Sequence, residues 1–201
     1  LTTILINFLL AFLLLNTSDW VVNNKFGVLY LISELPVWLE VFIGLLLLDL
    51  IGAYTPHWLE HKLKPLWMIH LVHHSDHHVD TTTANRHHPL ESFIRFGFTL
   101  LGVFLVGTNI GIIMLYQSIS LISTQFTHAN IKLPKKIDLY LSYLFVSPDM
   151  HKTHHHYRLP YTDANYGNIF SVWDRAFGTY LPFDREKLIY GVDVFYDEEA
   201  N

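Results

Sequence analysis

The sequence predicts an all-α integral membrane protein, a helical bundle of about four transmembrane helices bearing a histidine-rich helical cap that holds a dimetal site. Three observations predict it. The 201 residues are 51% hydrophobic and only 15% charged, with a mean hydropathy of +0.26, too apolar for an ordinary soluble domain. Apolar runs of near-span length recur at about residues 1–15, 36–54, 89–107 and 110–128. Histidines gather at helical intervals, as His57-x-x-x-His61, His70-x-x-His73-His74 and His151-x-x-His154-His155-His156. An α-helix turns every 3.6 residues, so positions three and four apart share a face. A single helical histidine is ordinarily a surface or satisfied core residue, and histidine tracts can be compositional metal sponges. These groups lie at helical spacing inside apolar sequence, where each buried ring nitrogen needs a partner. Neutral imidazole ligates divalent first-row metals, and this many rings on converging helices exceeds one ion's needs.

The chain contains no cysteine, which excludes disulfides, thiolate-bound zinc, iron–sulfur clusters and cysteine nucleophiles. Its formal net charge is −5, and it has no basic stripe of the kind a nucleic-acid partner needs. It opens on Leu1 rather than methionine, so residues 1–15 are expected to be the trimmed remainder of a span, which needs about 20 residues. A signal peptide is the lesser reading, without a basic leader or a small-residue cleavage site.

Asn16 to Glu34 is expected to be a loop or interfacial segment, with Asn23-Asn24-Lys25 and Gly27 as turn material. Pro36 to Tyr54 is the clearest span. Asp49 near its end is either a carboxylate at the membrane surface or an acceptor for a ligand imidazole. Thr55-Pro56 resembles a helix start just before His57, and Pro65 starts the helix that carries His70, His73 and His74. Asp80 to Asn85 is a polar loop. Segments 89–107 and 110–128 form a hairpin about Gly107-Thr108-Asn109. Lys62, Lys64, Arg86, Arg95, Lys132, Lys135, Lys136, Lys152 and Arg158 lie on the histidine side of the spans, which makes that side cytoplasmic by the positive-inside rule. The cap is then residues 55–88 and 129–201. Within it Ser147-Pro148-Asp149 starts another helix. The run Trp173 to Tyr180 is expected to pack as an aromatic lobe, with Asp174 and Arg175 as a structural ion pair. Asp197-Glu198-Glu199 is a solvated tail. No linker divides the chain, which is expected to be a single domain.

From about Asp49 to Tyr180 the chain resembles the fatty acid hydroxylase and sterol desaturase superfamily of integral-membrane di-iron enzymes. The matching motifs are His57/His61; His70/His73/His74 followed by Ser75; Arg86-x-His88-Pro89-x-Glu91; His128-Ala129-Asn130; His151/His154/His155; Asp163-x-Asn165-Tyr166-Gly167; and Trp173-Asp174-Arg175-x-Phe177-Gly178-Thr179. The resemblance implies two Fe ions on the cytosolic face of a four-helix membrane bundle. Carried over by position, the ligands are His57, His61, His70, His73, His74, His128, His151, His154 and His155. In relatives a further polar ligand often precedes the position of His128 by one turn. Here that position holds Thr124, with Gln125 beside it. His77, His78, His87, His88 and His156 rank as outer or surface residues, His88 foremost.

The activity implied is O2-dependent hydroxylation or desaturation of a lipid C–H bond. Ligand imidazoles want carboxylate or carbonyl partners on their other nitrogens, and Asp49, Asp76, Asp80, Asp149 and Asp163 are candidates. No haem- or flavin-binding segment is visible, so electrons are expected from a redox protein or a diffusible reductant. Lys132, Lys135 and Lys136 could meet an acidic carrier, but facing anionic headgroups is the favoured reading. The alternatives are a non-catalytic membrane metal-binding protein, a redox-inactive relative, and a two-metal hydrolase. The complete histidine set favours an enzyme, and the absence of a ligand-spaced carboxylate box disfavours the hydrolase.

Overall fold

The computed structural model describes residues 2–32, 34–182 and 184–192, with side chains from residue 10 onward. Leu1 and the acidic tail Asp197-Glu198-Glu199 lie outside the described residues. Among the described residues every regular element is a helix, with two isolated β-bridges, Phe145 to Phe170 and His156 to Tyr190, in place of any sheet.

Helix α1 (Thr2–Asn23) runs well past the expected end at residue 15. The polar residues that suggested a loop are absorbed by the helix itself. Asn16 donates its side-chain N–H to the Phe12 carbonyl at 2.7 Å, and Ser18, fully buried, donates to the Thr108 carbonyl at 3.1 Å. The chain then turns at Lys25 and Gly27, both at positive φ. A Cβ on Gly27 would strike the Gly107 backbone, and one on Gly107 would strike the Phe26 carbonyl. These two glycines, with φ of +113° and +80°, permit the two turns to touch.

α2 (Val37–Asp49), a π-turn over Leu50–Tyr54 and α3 (Thr55–Lys62) form one continuous 26-residue run, Val37–Lys62. The new or redirected helix expected just before His57 is the α-helical stretch that resumes at Thr55 after the π-turn, within one continuous run and not as a separate helix. Pro56 has no N–H, and in α geometry its ring would crowd the carbonyl of Gly52. The wider π-turn relieves that crowding, while Thr55 bonds the Leu50 carbonyl with its N–H and, at 2.7 Å, with its hydroxyl.

α4 (Lys64–His74) has Pro65 in its first turn, as expected. α5 (Pro89–Val106) and α6 (Ile110–His128) match the expected hairpin, with the Asn109 side-chain oxygen capping α6 at the Ile112 N–H. Then follow α7 (Lys135–Leu141), α8 (Pro148–His154) and α9 (Val172–Ala176). Ser147 caps α8 by accepting from the Met150 N–H at 3.3 Å, the start that Ser147-Pro148-Asp149 predicts.

Among the described residues three helices, Val37–Lys62, Pro89–Val106 and Ile110–His128, are long and apolar enough to cross a membrane. At most 33% of the apolar window of each is buried, so their remaining faces call for apolar surroundings. The described residues form two compact units. One holds residues up to 56 with 92–119, and the other residues 57–91 with those from 120 onward. The first is the apolar helical unit. The second contains every one of the nine expected ligands.

Candidate metal centre

The second unit gathers the nine histidines into two clusters. His57, His61, His70, His74 and His154 form the first; His73, His128, His151 and His155 form the second. Within each, one nitrogen per ring lies within 4.8 Å of all the others. Helical spacing is compatible with the division without fixing it. On α4, His70 and His74 are four apart and share a face, whereas His73 is turned about 100° from its neighbour. On α8 the assortment is reversed, His151 and His155 going together and His154 to the first cluster. The clusters adjoin, with the His74 and His155 rings stacked at 4.6 Å.

The spacing inside each cluster is that of a ligand shell. His57 Nε2 and His154 Nε2 are 3.0 Å apart, and in the second cluster four Nε2 pairs lie between 3.0 Å (His128–His151) and 3.3 Å (His73–His128). Nitrogens about 2.0–2.1 Å from a common metal stand roughly 3.0–3.4 Å from one another. Both ring nitrogens of His74 are buried without a hydrogen-bond partner, a costly state that metal ligation of one of them would relieve. The residues present therefore fit metal ions.

Four of the outward nitrogens are braced on main-chain carbonyls. His57 Nδ1 donates to the Tyr166 carbonyl at 2.8 Å, His154 Nδ1 to Ala164 at 2.7 Å, His73 Nδ1 to Thr83 at 3.1 Å and His128 Nδ1 to Thr124 at 2.8 Å. A proton committed at Nδ1 leaves Nε2 bare and aimed inward. His70 Nδ1 meets the Glu91 carboxylate at 2.9 Å, with Glu60 at 3.7 Å; His61 Nδ1 faces Asp163 at 3.6 Å. Burial pushes His73, His74, His154 and His155 well below the ordinary imidazole range, and the crowd of neighbouring rings adds to it. Burial works to raise Asp163, but hydrogen bonds from His61, Lys62 and Tyr166 prevail and hold it well below the usual carboxylate range.

The other expected outer residues divide. Asp163 sits at the first cluster. Asp76 acts one step removed, accepting from Thr83 Oγ1 at 2.8 Å and pairing with Arg86, so that it steadies the loop whose carbonyl braces His73. Asp80 closes a local turn on Thr82. Asp149 takes the Arg185 guanidinium at 3.2 Å. Asp49 is fully buried at the end of α2, in the first unit. Thr124 braces His128 through its main-chain carbonyl while its hydroxyl meets Asn168; half-buried Gln125 belongs to neither cluster. His77, His78 and His88 are exposed. His88 caps α5 by accepting from the Leu90 N–H. It is His87 that stacks on His73 at 4.6 Å and reaches Glu91 at 2.8 Å, because Pro89 starts α5 and turns His88 outward.

Sequence reasoning missed Glu60 and Glu91 as participants. Both are buried beside His70, and the signal was available: Glu60 lies within the first histidine pair and Glu91 closes the Arg86 motif. It also misread Asp174. That carboxylate accepts from the Tyr166 N–H at 2.7 Å, the Gly167 N–H at 2.8 Å and Thr179 Oγ1 at 2.7 Å, while Arg175 donates to the Ser142 carbonyl. Burial pushes Asp174 up to about 6 despite those bonds. Its work is to hold the turn that presents the Ala164 and Tyr166 carbonyls. Asn165, at φ +58° and fully buried, completes that turn through bonds to Met150 and Leu181.

An all-helical protein with long apolar helices and two buried histidine clusters able to bind metal is the class that fold and site define. The sequence model of the fatty acid hydroxylase family matches residues 41–179, and the chain belongs to that family. Among its relatives, alkylglycerol monooxygenase of Danio rerio is 31% identical over 77% of this chain and 32% of its own length. Ornithine lipid hydroxylase OlsE of Rhizobium tropici is 25% identical over 74% and 44% respectively. Methylsterol monooxygenase 2-2 of Arabidopsis thaliana is 28% identical over 77% and 59%. The chain thus spans between about a third and three-fifths of the length of these relatives. No solved structure matches.

Proposed function

We propose that this chain is the metal-bearing core of a membrane-bound oxygenase that uses O2 and two external electrons to hydroxylate, or desaturate, a C–H bond of a lipid. The observation that carries the reading is the division of nine histidines into adjoining groups of five and four at ligand-shell spacing. The relatives, named for an ornithine lipid, an alkylglycerol and a methylsterol, support a lipid substrate. His57, His61, His70, His74 and His154 would hold one iron, and His73, His128, His151 and His155 the other. Imidazole nitrogen suits iron, and bound there it would supply the activation of O2 and of an unactivated C–H bond.

The chain's own residues do the positioning. The carbonyls of Thr83, Thr124, Ala164 and Tyr166 fix the tautomer and aim of four rings. Glu91 increases the basicity of His70. The buried rings keep bulk water from both sites. The first span together with Val37–Lys62, Pro89–Val106 and Ile110–His128 would lie in the bilayer, and the basic residues near the clusters support a cap on the cytoplasmic side.

The test is metal analysis and magnetic spectroscopy of protein purified anaerobically from iron-supplied cells. Close to two irons per chain with a coupled-pair signal is the expected result, followed by added hydroxyls or double bonds in lipid extracts. A single ion, or none after reconstitution, would move the reading to a metal-binding protein without this chemistry.

A further inference from the structure

The proposed reaction needs electrons from outside, and a second feature of the histidine unit bears on where they arrive. Trp67, on α4, is half-buried. Its indole lies 4.9 Å from the His61 ring and 5.3 Å from the His74 ring, both members of the first cluster. Trp67 also lines a cavity of about 230 Å³ together with His61, Tyr157, Leu159, Thr162 and Asp163. Leu159 is 62% exposed, so the cavity reaches the surface. Among the described residues around it, basic side chains outnumber acidic ones. Lys62 pairs with Asp163, Arg158 stacks on the Tyr157 ring at 5.4 Å, and exposed Lys64 lies one turn before Trp67 on the same helix face.

We propose that Trp67 is where electrons enter the first cluster, passing from a one-electron redox protein with an acidic face, docked over this cavity, to His61 and His74. The inference rests on the di-iron reading above. Electron transfer weakens exponentially with separation, and a π-ring touching two ligand rings and the surface shortens the gap between protein surface and cluster. Each step takes one electron from the reduced carrier and converts one ferric ion to ferrous; two steps reduce the pair, and the carrier leaves oxidised by one electron each time. The acidic face is argued from Lys62, Lys64 and Arg158, which a like-charged carrier would not approach. Trp67 acts through the histidines, as a positioning residue for the electron.

The absence of cysteine makes a direct test available. A ruthenium polypyridyl photoreductant is attached to L159C, the protein is loaded with iron and oxidised, and the anaerobic rate of iron reduction after a flash is followed optically in otherwise wild-type, Trp67→Leu and Trp67→Phe backgrounds. At equal iron content the rate falls at least tenfold in Trp67→Leu and lies between the two in Trp67→Phe, which keeps a ring. A Trp67→Leu rate equal to that of the Trp67 protein overturns the proposal. Should Trp67→Leu lose its iron, the Trp67→Phe rate decides in the same two directions. Metal analysis precedes the flash, so failure of the Trp67 protein itself to hold iron is recognised separately and removes the di-iron reading together with this one.

Discussion

The two histidine clusters both draw on α4 and α8, the first adding α3 and the second α6, and they are braced differently. In the first, His70 meets the side-chain carboxylates of Glu91 and Glu60, and His61 faces Asp163. In the second, His73 and His128 give their outer protons to the main-chain carbonyls of Thr83 and Thr124. A carboxylate partner makes an imidazole a stronger donor and can be removed by one substitution. A carbonyl partner belongs to the fold and survives most changes of its own side chain. The first cluster therefore adds removable carboxylate partners to the main-chain bracing of His57 and His154, whereas His73 and His128 of the second rest on the path of the backbone.

The largest expected effect tests the partition itself. His74→Ala should remove the metal of the first cluster and leave the second occupied, while His73→Ala should do the reverse; metal analysis of the two proteins reads this directly. If either variant kept both metals, the five-and-four division would be wrong.

Next in size is the pH response of the metal-free protein. His73, His74, His154 and His155 are all held below their ordinary range. Below about pH 6.5 the unfolded chain binds protons at these positions and the folded chain does not, so stability falls as pH falls, by about 1.4 kcal/mol per pH unit per group. Thermal melts of apoprotein from pH 7.5 to 5.5 should show this loss, and metal-loaded protein should resist it. A flat profile in the apoprotein would contradict the burial of these rings.

A smaller effect separates the two kinds of bracing. Glu91→Gln should weaken metal binding at the first cluster by about 10–100-fold, measured by competition with a chelator. Thr124→Val keeps the carbonyl that holds His128 and should leave the second cluster's affinity within about twofold, at a stability cost of about 1 kcal/mol for the lost hydroxyl bond to Asn168. Equal losses in the two variants would erase the distinction. The smallest effect concerns the Arg86 motif. His88→Ala should cost only a helix cap, about 1 kcal/mol, whereas His87→Ala, which removes the ring on His73 and Glu91, should also change metal binding.

Much of this was legible beforehand because periodicity is a local property. The hairpin of Pro89–Val106 and Ile110–His128 falls where apolar runs and Gly107 put it, and Ser147-Pro148 opens α8 as capping chemistry requires. The misreadings share a cause. Asn16 and Ser18 look like loop residues until their side chains find the Phe12 and Thr108 carbonyls, and Thr55-Pro56 looks like the start of a separate helix until a π-turn joins it to α2. In each case a bond to a backbone group reversed the usual meaning of a polar or breaking residue.

The sequence by itself determined which residues could ligate metal, because spacing on a helix decides which side chains share a face. It also determined the apolar spans, because hydropathy and length are read along the chain. Only the tertiary structure decided that His73 parts from His70 and His74, that His154 parts from His151 and His155, and that Glu91 and Glu60 rather than the expected Asp80 or Asp149 stand behind a ligand. Those assignments depend on how α3, α4, α6 and α8 approach one another. No single helix encodes the partner that its face will meet.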